Sequence, residues 1–329
     1  MLEWPKWTVL LSGLYLGLTP RTRSWLAMGA WGIGLYSGDF ALDLRTSVKA
    51  VAHLPFPPDE LLDLLRSIEL AADDAADPDH TVFWLVVADQ FAKRGIDCAG
   101  ARNRSLAIIA DGSDLATMAR LGMDEKSLAK RRGMLDELGQ RLRAPPARTK
   151  ARAVLKVPQA LLLRQGEVLA YPVSAGKPIN PYAVGKGFDW VKEWKQDGWG
   201  ALAVAECGLM FGFLAWYRPF VITEALSREP TLTDLTQPRT WLLRNPGTLT
   251  KRHHGNLQLK SLGRVAIDAA KLEAVSPKRG SPASAVVSDI SLANNMNIRG
   301  VGPHEAHRIK QGHPPTPRIN ALADIAAAA

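Results

Sequence analysis

The stretch Arg143-Ala144-Pro145-Pro146-Ala147-Arg148-Thr149-Lys150 sets the first limit on how this chain folds. Proline lacks a backbone donor and pushes the residue before it away from helical geometry. With no apolar periodicity around it, the region 143–152 reads as a basic, proline-containing linker. The 329-residue chain therefore divides, and the residues on either side must build separate patterns.

Ahead of the linker the spacing is helical. Phe40, Leu44, Val48 and Val51 recur on one face, with Ser37 or Asp39 placed to cap the start. Pro57-Pro58 opens a second helix carrying Leu61, Leu62 and Leu65. Asp79 starts a third, apolar nearly all round from Val82 to Phe91 and ended by Gly95. Further segments run over 99–110, 113–121 and 124–142, with Asp111-Gly112-Ser113 as a turn. Behind the linker the texture changes to short apolar runs punctuated by glycine, at 159–173, 199–223, 241–243 and 265–267, with Cys207-Gly208 as the turn of the longest. The expected fold is α+β: an N-terminal antiparallel helical bundle, then a small, strongly bent antiparallel sheet or barrel. The divisions are an acidic helical domain over 28–142, a β-rich domain over 153–275, and a Pro/Gly-rich tail over 276–329 with one short helix near Ser288 or Asp289.

Charge follows the same division. Residues 28–125 hold 8 basic and 16 acidic side chains, residues 126–152 hold 9 and 2, and residues 153–329 hold 21 and 13. The net +9 is thus a basic rear half and hinge set against an acidic front. Attraction between the halves and solubility account for this; a nucleic-acid surface is the alternative, without a motif to carry it. Two distant cysteines, Cys98 and Cys207, supply no disulfide framework and fit a reducing compartment.

Residues 1–27 contain an apolar run from Trp7 to Leu18, too short to span a bilayer, which takes about 20 residues. Three readings stand: sequence upstream of a true start at Met28, a weak export or membrane signal, or a packed element.

The motif Met28-Gly29-Ala30-Trp31-Gly32-Ile33-Gly34, followed by Asp39, Ala41 and Asp43, resembles the opening of an uncharacterised bacterial family that begins Met-Gly-x-Trp-Gly. That resemblance implies a start at Met28 and a cytoplasmic bacterial protein, and implies no activity. On physical grounds Trp31 is an anchor for the helix that follows, while Asp39 and Asp43 are a capping residue and a solvated neighbour before they are a metal pair. Gln165-Gly166-Glu167-Val168-Leu169-Ala170-Tyr171-Pro172-Val173, then Gly198-Trp199-Gly200-Ala201-Leu202-Ala203-Val204, resembles the paired-strand core of a β module in immunity proteins of bacterial polymorphic toxin systems. Glu167 stands where those modules carry aspartate, and the insert between the strands is long. The resemblance implies a protein that binds and blocks a toxin without catalysis.

Catalytic sets are poorly supported. Ser174-Ala175-Gly176-Lys177 lacks the rest of a phosphate loop, and Val184-Gly185-Lys186-Gly187 lacks the third glycine of a dinucleotide fingerprint. His253-His254 has no third ligand nearby, and His304, Glu305 and His307 lie in a tail read as lacking a regular scaffold. No metal or cofactor is expected. The better candidates are aromatic: Trp190, Trp194, Trp199, Trp216 and Tyr217 with Arg218, the residue types that dominate binding hot spots. Strand-end packing is their plainer role. The leading expectation is a cytoplasmic protein-binding module without a membrane span. A nucleic-acid-associated protein and an unrecognised enzyme are the alternatives.

Overall fold

The computed structural model describes residues 32–144, 152–182, 194–277, 281–298 and 301–327. Trp31, Trp190, the segment 1–27 and most of the linker lie outside these residues. Helices occupy the N-terminal part and an antiparallel sheet the C-terminal part, a mixed α+β arrangement.

The helical part runs α1 (Asp39–Val51), α2 (Pro58–Ile68), α3 (His80–Lys93), α4 (Ala99–Asp111), α5 (Ser113–Arg120) and α6 (Glu125–Arg143). On α1 the 3.6-residue period puts Leu44, Val48 and Val51 on one buried face. Gly38, not Ser37 or Asp39, holds the cap position, and no side chain bonds there. Asp39 instead sits in the first turn, where its charge meets the exposed N–H groups, and both it and Asp43 face solvent. Helix α3 is buried at every position from His80 to Phe91 and packs against α1, α4 and α6, so it is the central element.

Two buried carboxylates tie these helices together. Asp114, at the start of α5, receives the Arg131 guanidinium of α6 at 2.6 and 2.9 Å and the Thr81 hydroxyl of α3 at 3.2 Å. Arg131 reaches on to the carbonyls of Ile33 and Gly34, pinning the chain ahead of α1. Asp89 of α3 accepts from Lys93 at 2.6 Å, from Arg141 of α6 at 2.9 Å and from the Tyr36 hydroxyl. The basic α6 therefore neutralises carboxylates inside the acidic half.

The sheet comprises β1 (Glu167–Ser174), β2 (Lys177–Pro178), β3 (Gly198–Met210), β4 (Leu214–Ile222), β5 (Trp241–Leu243), β6 (Lys260–Arg264) and β7 (Arg318–Ile319). Its order is β2-β1-β3-β4-β5-β7, with β6 also on β1, and every pair is antiparallel. The sheet is open, so the barrel alternative is corrected. The outermost strands β2 and β7 are two residues long and, among the described residues, do not pair with each other. The long hairpin turns at Phe211-Gly212, both at positive φ, and not at Cys207-Gly208. Gly208 stays inside β3 because the Trp216 indole lies across it, 3.2 Å from where a Cβ would stand. Gly200 similarly lies under Tyr171, whose ring would be 2.3 Å from an added Cβ. Tyr171 is fully buried and donates to the Met296 carbonyl at 2.7 Å.

Shorter helices complete the chain: α7 (Leu232–Thr236), α8 (Lys251–Asn256), α9 (Ala269–Val275), α10 (Ala283–Val287), α11 (Leu292–Asn295) and α12 (Val301–Lys310). His304 and His307 thus sit on a helix, where an irregular tail was expected. The tail region contributes β7 to the sheet, and Ser291 caps α11 in place of Ser288 or Asp289. The strand expected over 265–267 lies earlier, as β6.

The two parts share one seam. Leu214 of β4 and Val286 and Val287 of α10 belong to the buried core of the helical part. The hairpin tip presses Phe213 edge-on to Phe56, with ring centroids 5.8 Å apart. Removing a partner from a buried ion pair strands a charge, so Asp114→Ala is expected to cost about 3–5 kcal/mol in urea denaturation; a loss under about 1 kcal/mol, typical of surface pairs, contradicts the assigned role.

Candidate functional site

A cleft of about 540 Å³ opens along this seam. The C-terminal end of α1 supplies Lys49 and His53, and the chain after the linker supplies Leu155 and Leu162. The start of β4 gives Leu214, the segment before α8 gives Thr248 and Lys251, and Asp289 closes the far side. The chain at 155–162 is strapped across both parts. Leu155 N–H bonds the His53 carbonyl at 2.8 Å, Gln159 N–H the Phe213 carbonyl at 2.9 Å, and Leu162 N–H the Tyr217 hydroxyl at 2.7 Å. The cleft wall is therefore fixed by backbone bonds, which favours a preformed recess.

Polar groups around the opening are oriented by local bonds. His53 Nδ1 lies 2.7 Å from the Lys49 carbonyl, which can only accept, so Nδ1 is the donor of this bond. The Thr248 hydroxyl donates to the Asp289 carboxylate at 3.2 Å, and Asp289 holds a backbone φ of 50°. Such a conformation is uncommon for a side-chain-bearing residue. Lys49 and Lys251 are exposed at the rim. The cleft thus combines an apolar floor with two lysines and one carboxylate, Asp289, that accepts from Thr248, an arrangement suited to recognition of an acidic, partly apolar group.

The aromatic set from the sequence is not gathered into one surface. Tyr217 is fully buried, with its hydroxyl engaged by Leu162. Arg218 is 5% exposed and bonds Glu206 at 2.5 Å. Trp216 is half-buried against the helical core, with the Arg218 guanidinium 5.8 Å from its ring centre. Trp194 packs on the sheet core, and Trp199 sits half-buried opposite Pro172 on β1. Trp216 and Arg218 are two apart on one strand and share a face; Tyr217 between them faces the other way. The cleft residues Lys49, His53, Lys251 and Asp289 escaped the sequence reading because they come from segments up to 240 positions apart.

Burial pushes the Cys98 and Cys207 thiols upward, which disfavours their thiolate forms. Among the described residues no group of three or more His, Cys, Asp or Glu is placed to hold a metal ion, and no helix is long and apolar enough to cross a membrane. No family model, curated protein or solved structure matches this chain.

Burial also raises the Tyr171 and Tyr217 phenols. The folded state favours their neutral form, so their contribution is complete below the ordinary phenol pKa of about 10 and falls as pH rises beyond it. Melting temperature is expected to decline from about pH 10 upward. Tyr171→Phe loses about 1 kcal/mol at pH 8 with its hydrogen bond and declines less steeply above pH 10. An identical alkaline slope in the variant contradicts the assignment to Tyr171.

Proposed function

We propose that the chain is a non-catalytic protein-binding module that takes an acidic, partly apolar segment of a partner protein into the cleft along the seam. The carrying observation is the pairing of the apolar floor at Leu155, Leu162 and Leu214 with the exposed Lys49 and Lys251 at the rim. Its volume lies in the range of preformed binding recesses, about 300–1,000 Å³. Rim cations steer an acidic partner and set its register, while desolvated apolar contact supplies the affinity. The two thiols are buried or half-buried and burial disfavours their thiolate forms, which supports binding over covalent chemistry.

We read the helical part as a bundle and the sheet as strongly bent. The helical part serves as a bundle organised on α3, and irregularities between Val204 and Glu206 and between Val168 and Leu169 supply the strong bend of the sheet. An immunity-type inhibitor of a toxin in the bacterial cytoplasm is the form of binding that the resemblance of residues 159–223 suggests.

The test is affinity capture from the native host at about 0.05 and 0.5 M salt, bracketing strong and weak screening. One stoichiometric protein partner is expected at both. Lys49→Glu combined with Lys251→Glu is expected to weaken its binding by about tenfold or more, mainly through the association rate. Recovery of salt-labile nucleic acid alone, or undiminished capture by the double variant, contradicts the proposal.

A further inference from the structure

A second recess, of about 360 Å³, lies beside α10 on the other side from the seam cleft. Ala285 and Ile290 line this recess, whereas Val286 and Asp289 line the seam cleft. Among the described residues its polar lining consists of Arg218, Arg244, Asn245 and the serines Ser276, Ser281 and Ser284, with no carboxylate. Such a set is rich in donors: two guanidinium forks, an amide and three hydroxyls.

The charge balance identifies what fits. Arg218 is engaged by Glu206 and stacked near Trp216. Arg244 follows β5 directly and is half-buried, and its backbone N–H is used by the Pro219 carbonyl. Among the described residues no carboxylate stands within 4.0 Å of its guanidinium. Glu305 and Arg308 act on it from farther off and in opposite senses, while desolvation pushes the guanidinium below its ordinary range. A partly buried cation without an ion-pair partner carries a solvation cost that a bound anion offsets. A positive charge with no ion-pair partner among the described residues, in a recess that hydroxyls and an amide also line, matches a small oxyanion, whose several lone pairs accept the fork and the hydroxyls together.

We propose that this recess binds a small molecule through an oxyanion head group, a phosphate ester or a carboxylate, with Arg244 as its charge partner and Asn245 and Ser284 as supporting donors. Unlike the seam cleft, which is rimmed by lysines, this recess is smaller and lined by arginines. Its occupant is a ligand head, and its test does not depend on any partner protein.

The experiment is isothermal titration of the full chain with inorganic phosphate, glycerol phosphate and acetate in separate arms. Ionic strength is held constant with sodium chloride. Saturable binding at one site per chain is expected in at least one arm; preference for glycerol phosphate assigns a phosphate ester, and preference for acetate a carboxylate. Arg244→Met is expected to weaken that binding by about tenfold or more without lowering the melting temperature of the ligand-free protein, since a half-buried cation with no ion-pair partner among the described residues is being replaced by an apolar chain of similar length. Ser284→Ala, at an exposed position, serves if the first variant fails to fold, with binding about tenfold weaker. Absence of saturable binding in all arms, or unchanged affinity in a folded variant, overturns the proposal.

Discussion

The placement of both recesses depends on an apolar seam. Leu214, Val286 and Val287 come from the C-terminal part yet complete the core built around α3. Burial of a side chain of this kind contributes about 1.5–3 kcal/mol each, enough to decide the relative placement of the parts. The seam is reinforced by the hairpin tip at Phe213 and by the strap of residues 155–162. Both recesses flank α10, so the packing of that short helix sets the shape of each.

Charge plays a different part from the one its distribution suggests. The basic stretch ahead of the linker looks like a hinge between an acidic and a basic half. Its buried arginine, Arg131, instead points inward to Asp114, and Arg141 reaches the buried Asp89. These pairs join α6 to α3 and α5, and through Arg131 and Tyr36 they also hold the chain that precedes α1. That gives the glycine-rich opening at 32–38 a structural reason: its carbonyls and its tyrosine complete two buried networks. Lys49, Lys251 and Arg244, which line the two recesses, take no part in these networks.

The helices were legible because local signals coincide. Proline at the start of α2, glycine after α3 and α4, and the all-apolar span of α3 each act within a few residues. Strand texture was legible, but its turn was misplaced. A glycine in an apolar run marks either a reversal or a ring lying across the backbone, and only the partner strand reveals that Trp216 covers Gly208. The tail was read as irregular because β7 is two residues long and has no local signature. The sites were the least legible. Aromatic residues clustered in sequence alternate between the faces of one strand, which separates Tyr217 from Trp216 and Arg218. Arg244, in contrast, stands alone in sequence and acquires its setting from β4, α10 and the chain on either side of that helix.

The claim that one seam unites the chain is tested most directly by scanning calorimetry of the full-length protein. The account predicts a single transition with a calorimetric to van't Hoff enthalpy ratio near 1, broadened or split by Val287→Asp. Two resolved transitions in the unaltered protein, untouched by that substitution, would contradict it.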